Sequence, residues 1–176
     1  MDWPGEFRGS VHFCATTLPV QNVDPEQYIP AVVIDQLTEA SMSNPVRVLV
    51  IGVGNMGQSH AKAYHRLDGF EIVGLMSRHL RAKTDRLAPE LCHYPLFEEF
   101  EQALRESRPD AVSINTYPDT HAALALRAMD AGCHVFLEKP IATTVEDAEA
   151  VVAKAMATGR KLVLGYILRV HPAWAK

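Results

Sequence analysis

Cysteine is scarce in this chain: Cys14, Cys92 and Cys133 are the only three in 176 residues, and they lie far apart in no metal-ligand spacing. That excludes a disulfide framework and a cysteine-based zinc site, and it fits a reducing compartment. Basic charge is not in excess either. Seventeen Lys and Arg stand against 21 Asp and Glu, a net charge of −4, which gives no electrostatic case for nucleic acid. No apolar run approaches the roughly 18 residues of a membrane span, and the N-terminus has no basic-then-apolar signal pattern. The expectation is a soluble, cytoplasmic protein with no metal site. What the chain does have is apolar content, 48%, enough for the core of one ordinary domain.

That domain is organised around Val46 to Gly57, VRVLVIGVGNMG. A β-branched and aliphatic run ends in Gly52-Val53-Gly54-Asn55-Met56-Gly57, and a helix-like run follows. G-x-G-x-x-G between a strand and a helix is a dinucleotide-binding turn, in which each glycine has its own task. Gly52 allows the tight turn out of the strand, Gly54 lets backbone approach a pyrophosphate, and Gly57 lets the helix pack close. The helix N-terminus then offers N–H groups and partial positive charge to the phosphates.

Residues 1–41 differ from the rest, with Pro4, Pro19, Pro25 and Pro30 and no sustained period. They read as an irregular extension, with Met42 as a candidate start and a real packing arm as the alternative. After the glycine turn, helix is expected over Met56–Leu67, with Ala63 and Leu67 on one face, and strand over Phe70–Met76. Ser77–Leu87 is helix-compatible, and His93–Pro95 could be a short third strand. Helix follows over Phe97–Ser107, strand over Ala111–Asn115, and helix from Pro118 to about Ala131. Strand is expected over His134–Leu137. A capping-box pattern at Thr143 and Glu146 opens a helix with Val145, Ala148, Val152 and Ala155 as its stripe. Lys161–Tyr166 is a sixth strand. This alternation predicts an α/β protein: a Rossmann-type, doubly wound parallel sheet in three layers, α/β/α. Ligands bind such sheets at the carboxyl ends of the strands. The glycines and polar oddities of this chain all fall there.

A ribose-binding carboxylate is expected about 20 residues after the glycine motif. That position is Ser77, followed by Arg78. Ser77 can donate to a 2′-phosphate, Arg78 can pair with it, and Arg81 and Lys83 add positive charge. This favours NADP(H) over NAD(H). The alternative is an Arg78 that only stacks on adenine.

GVGNMG after the first strand, Asn115-Thr116 with Pro118 and His121 after the fourth, Glu138-Lys139-Pro140 after the fifth, and GYILRVHPAW at the end together resemble the Gfo/Idh/MocA oxidoreductases. The resemblance runs from about Val46 to Trp174. It implies that Gly52, Gly54, Asn55, Met56 and Gly57 hold the cofactor's phosphates, and Ser77 and Arg78 its adenosine end. It places Asn115, Thr116, Tyr117 and His121 along the ribose and nicotinamide side, Glu138 beside the nicotinamide, and Arg169 at the nicotinamide end. Lys139 would be the catalytic residue, facing a small-molecule substrate and orienting its hydroxyl or carbonyl. A lysine there can polarise a carbonyl or stabilise an alkoxide. His60 and His65, on the first helix, read as packing or solvent-facing residues, and Cys133 as a small buried one.

Members of that family continue into an α+β domain that supplies most of the substrate pocket and much of the oligomer interface. This chain stops at Lys176, about where that domain would begin. The usual C-terminal domain is therefore expected to be missing, with residues 167–176 as its truncated start. Apolar surface near Leu164–Trp174 would be left exposed, favouring association, including a homo-oligomer. The implied activity is hydride transfer between NADP(H) and a sugar- or polyol-like substrate. The alternatives are a non-catalytic NADP(H)-binding sensor module and an inactive fragment.

Overall fold

The structure, a computed structural model, describes residues 44–166, the side chains of 81–83 excepted. The N-terminal extension, Met42, Arg169, His171, Trp174 and the side chains of Arg81 and Lys83 lie outside the described residues. Strand β1 (Val46–Ile51) leads to helix α1 (Asn55–Arg66) and β2 (Phe70–Met76). Two 3-10 turns (Arg81–Arg86 and Pro89–Leu91), β3 (Leu96–Phe97) and α2 (Phe100–Ser107) follow. The chain then runs through β4 (Ala111–Ile114), α3 (Pro118–Asp130), β5 (His134–Leu137), α4 (Val145–Thr158) and β6 (Leu162–Leu164).

All six strands pair in parallel in the order β3-β2-β1-β4-β5-β6, so β1 is central and flanked by β2 and β4. This is the expected doubly wound α/β sheet. Strands covered on both faces are apolar throughout, and β1 shows why. Leu49 and Ile51 point into one core with Val112, Ile114, Val135 and Leu137, covered by Phe100 and Ala103 of α2, Ala125 and Met129 of α3, and Val151 of α4. Val48 and Val50 point the other way, into a core with Ile72, Leu75, Leu80 and Leu87, covered by Ala61 and Tyr64 of α1. The break in helix placement, α1 on one face and α2–α4 on the other, falls at the central strand. The carboxyl ends of β1 and β4 meet there.

The strand and helix bounds differ from expectation where local pattern is weak. The third strand is Leu96–Phe97 rather than His93–Pro95, although the Pro95 carbonyl already accepts from Leu75 N (2.9 Å). Helix α2 begins at Phe100, after Phe97 has entered β3. Ser77–Leu87 forms a turn and a 3-10 helix, not an α-helix. The buried stripe of α1 is Gly57, His60, Ala61 and Tyr64, not Ala63 and Leu67. Two of those four side chains are polar, so hydropathy hides the stripe. The cap of α4 sits one residue later than expected: Thr144 Oγ1 accepts from Asp147 N (3.2 Å).

Helix α4 also turns its apolar residues differently. Val151 is fully buried and Ala155 packs beside it, whereas Val145, Val152 and Met156 are exposed. The helix therefore carries two apolar stripes, and the outer one faces away from the core. Leu137→Ala is expected to cost about 2–5 kcal/mol, the range for a buried leucine. Val152→Ala is expected to change stability by no more than about 0.5 kcal/mol. Urea denaturation of the full chain measures both, and a comparable loss at Val152 would mean the helix is turned the other way.

Candidate functional site

The carboxyl ends of β1, β2, β4 and β5 are bonded into one edge. Gly52 N donates to Met76 O (2.8 Å), Asn115 N to Ile51 O (2.8 Å), Glu138 N to Ile114 O (3.0 Å) and Gly165 N to Leu137 O (2.8 Å). Gly52, Ser77, Asn115 and Glu138 thus arrive side by side although up to 86 positions apart in sequence.

At the exit of β1 the backbone turns through Gly52 at φ +82°, a left-handed conformation that favours glycine. A Cβ there would lie 2.7 Å from the Asn115 carbonyl, and a Cβ on Gly57 would overlap the Gly52 carbonyl oxygen. The first turn of α1 is therefore seated directly on the strand exit. A Cβ on Gly54 would instead meet nothing within 4 Å, so that glycine's bare side faces open space. Gly54 is also the N-cap of α1, supplies no side-chain cap, and is followed by no acidic residue in the first turn. The N–H groups of Gly54, Asn55, Met56 and Gly57 have no intrahelical acceptor. With Gly54, Asn55 and Met56 exposed, this helix terminus on a glycine cradle could hold an anion.

The adenosine-side candidates follow β2. Ser77 is bonded through its N–H to Phe97 O (3.1 Å), and Arg78 is exposed. No carboxylate stands between Ser77 and Leu80. The segment beyond is tied to α1 by Gln58, whose amide donates to Arg86 O (3.0 Å) and accepts from Ala88 N (2.9 Å). Nothing in the sequence signals this clamp, because a lone glutamine on a helix has no pattern.

After β4, Asn115 Nδ2 donates to Ser113 O and Ser113 Oγ (3.1 Å each), while its Oδ1 is buried without a hydrogen-bond partner. An unmet buried acceptor at this edge is one place where a bound group's hydroxyl would be welcome. Thr116 Oγ1 and Thr120 Oγ1 share a hydrogen bond (2.7 Å), and Tyr117 is 78% exposed. His121 stands behind this wall rather than on it. It is fully buried, with Nδ1 facing Pro140 O (2.7 Å) and Nε2 facing Thr116 O (3.1 Å). A neutral imidazole has one N–H and can donate to only one of these carbonyls at a time.

Glu138 is the buried charge of the site, 7% exposed. Its Oε1 lies 2.8 Å from His60 Nε2, and its Oε2 accepts from Lys139 N (3.2 Å). Burial pushes the carboxyl up from its ordinary 4.5, but the His60 bond and charge, with the Lys139 N–H and ammonium, together hold it lower. Lys139 itself is exposed at the edge. His60, expected to pack or to face solvent, is buried beside Glu138, a contact the local pattern hides because the partner lies 78 positions away. Tyr64, further along the same helix face, is buried, and that burial pushes its hydroxyl up to about 12, so it stays neutral. Among the described residues, no group of three His, Cys, Asp or Glu is placed to hold a metal ion, and no helix is long and apolar enough to cross a membrane.

The geometry joins the exposed glycine turn to a lysine–glutamate corner along one edge of the sheet. A family model described as "Oxidoreductase family, NAD-binding Rossmann fold" (GFO_IDH_MocA) matches residues 46–166. UDP-N-acetylglucosamine 3-dehydrogenase of Acidithiobacillus ferrooxidans is 36% identical over 73% of this chain and 39% of its own length. The scyllo-inositol 2-dehydrogenase (NAD(+)) of Bacillus subtilis is 30% identical over 76% and 39%. The crystal structure of scyllo-inositol dehydrogenase from Lactobacillus casei, with bound NAD(H) and scyllo-inositol, superposes with a TM-score of 0.67 at 26% identity, over 74% of this chain and 38% of that one. The chain thus spans about 40% of the length of the curated relatives it matches.

The Glu138 shift carries a pH signature. Its folded pKa lies below the unfolded value, so its contribution is fully present above about pH 4.5 and is lost as the pH falls through the folded value. Glu138→Gln is therefore expected to be less stable than wild type at pH 7, with the gap closing as the pH falls from about 4.5 through the lower folded value. Urea melts across that range test this, and a gap independent of pH would refute it.

Proposed function

Because this chain belongs to the Gfo/Idh/MocA oxidoreductase family, we propose that its strand-end groove binds a nicotinamide dinucleotide for hydride transfer at a hydroxyl or carbonyl of a sugar- or polyol-like substrate. The observation that carries this reading is the convergence on one edge of the open Gly54 cradle, the unmet Asn115 acceptor and the Glu138–Lys139 corner. The relatives named for inositol and UDP-N-acetylglucosamine dehydrogenation support the substrate class. The first turn of α1 would hold the pyrophosphate by backbone N–H groups. When bound, the nicotinamide supplies or accepts the hydride. Lys139 then acts on the substrate oxygen. Its ammonium donates a hydrogen bond to a carbonyl being reduced, or stabilises the alkoxide of a hydroxyl being oxidised. Glu138 keeps negative charge beside that ammonium and fixes the backbone it hangs from.

NADP(H) is the preferred form in this reading. Ser77 and exposed Arg78 stand where a ribose-binding carboxylate would otherwise be, and a guanidinium pairs well with a 2′-phosphate. The outer stripe of α4 supports self-association of the chain when it is isolated.

Titration of the purified chain with NADPH and NADH, followed by nicotinamide fluorescence, tests the binding reading. NADPH is expected to bind more tightly. Arg78→Ala should weaken NADPH by about tenfold, roughly 1.4 kcal/mol, and leave NADH nearly unchanged. Equal losses would refute the 2′-phosphate assignment. Gly54→Val should leave the melting temperature close to wild type, because its side chain enters open space, and should abolish binding of both dinucleotides. Binding that survives Gly54→Val would place the cofactor elsewhere.

A further inference from the structure

We propose that His60 is a positioning residue for the reactive edge: by holding Glu138 it fixes the Glu138–Lys139 corner and ties it to the helix that binds phosphate. The inference rests on the dinucleotide-binding reading above and names a residue that reading does not need.

His60 lies on α1 three residues after Gly57, so the seating of the first turn on β1 also sets where its ring goes. The ring is 7% exposed and lies against Phe136, with centroids 4.8 Å apart and planes tilted by 50°. Phe136 and Glu138 are two positions apart along β5 and its extension, hence on the same face. One imidazole therefore touches both. It packs on the phenyl ring and meets the carboxylate at 2.8 Å. The other carboxylate oxygen is taken by Lys139 N. A Cβ on Gly165 would lie 3.1 Å from the carboxylate carbon, so the backbone after β6 closes a further side. Beyond Lys139, the carbonyl of Pro140 lies 2.7 Å from His121 Nδ1, which approaches from the opposite face of the sheet. The corner is anchored at each end by an imidazole, and the Lys139 side chain between them is exposed.

A buried histidine serving only to fill space could be exchanged for an apolar residue. Here the exchange would strand a buried carboxylate, which costs far more than lost packing. Glu138 would then turn outward or take a proton, and either change moves the backbone from which Lys139 projects. The effect should be confined to the nicotinamide half of the groove, since the adenosine end depends on β2 and the turn after it.

The test compares two probes on the full chain: NADPH, and 2′-phospho-ADP-ribose, which lacks the nicotinamide. In wild type both bind. His60→Ala is expected to weaken NADPH by tenfold or more and 2′-phospho-ADP-ribose by less than twofold. His60→Gln, whose amide can donate to the same carboxylate oxygen, should restore NADPH to within about threefold of wild type. If His60→Ala does not fold, Glu138→Gln and His60→Gln carry the comparison, with a selective NADPH loss expected for the first and near wild-type binding for the second. Equal losses for both probes, or unchanged NADPH affinity in folded His60→Ala, would overturn the positioning role while leaving the cofactor reading intact. A wild-type chain that binds neither probe would overturn both.

Discussion

The contact on which the rest depends is the seating of the first turn of α1 on the exit of β1. Gly57 has no room for a side chain because the Gly52 carbonyl occupies the space. That single close approach orients a whole helix. At its N-terminus it leaves N–H groups without intrahelical acceptors at the exposed strand edge. One turn on, it delivers His60 to Glu138, and two turns on it buries Tyr64 in the core. Its third contact, Gln58, fixes the segment that follows β2. The glycine pattern is thus a packing device as well as the proposed cofactor cradle. A helix set further from the sheet would lose the buried pair along with the cradle.

The edge was legible in the sequence to the extent that its signals are local. Strands β2 and β5 fall where continuous apolar runs flanked by glycine or turn residues put them. The central β1 and the glycine turn could be read together because strand, turn and helix are contiguous. Signals that depend on distant partners were not legible. Strand β3 is two residues long and defined by pairing with β2 alone, so no period marks it. Helix α4 has apolar residues on two sides, and only its packing partners decide which side is inward. His60 is the sharpest case. On a helical wheel it is a polar residue in the buried stripe, which reads as noise until Glu138 is seen beside it. His121 shows the converse. The motif placed it at the right edge, but its two ring nitrogens are spent on backbone carbonyls, so it acts from within the wall.

The site divides the labour between fixed and free groups. Glu138, His60, His121 and Asn115 are held by bonds to neighbouring strands and helices, whereas Arg78, Tyr117 and Lys139 are exposed. Preorganised charge is most effective where it need not move during reaction. In the proposed role, a lysine that reaches for a substrate oxygen needs freedom at its tip and none at its root. The corner provides that combination, since the carboxylate of Glu138 holds the very N–H from which Lys139 begins. The same bond, with His60, keeps Glu138 ionised despite its burial. Structure and charge at this corner have one cause.

The sheet's two outer strands have a practical consequence. Among the described residues the free edges are β3 and β6, two and three residues long. A free strand edge offers unpaired backbone groups as a template for another chain, and nature blunts that hazard by keeping such edges short. Edges of this length offer little more than a single ladder step, too little to nucleate strand addition. Among the described residues, the outward Val145, Val152 and Met156 of α4 then offer a side-chain route to clumping of the isolated chain. For anyone preparing the protein, the remedy is polar replacement along one helix face, with the sheet left as it is.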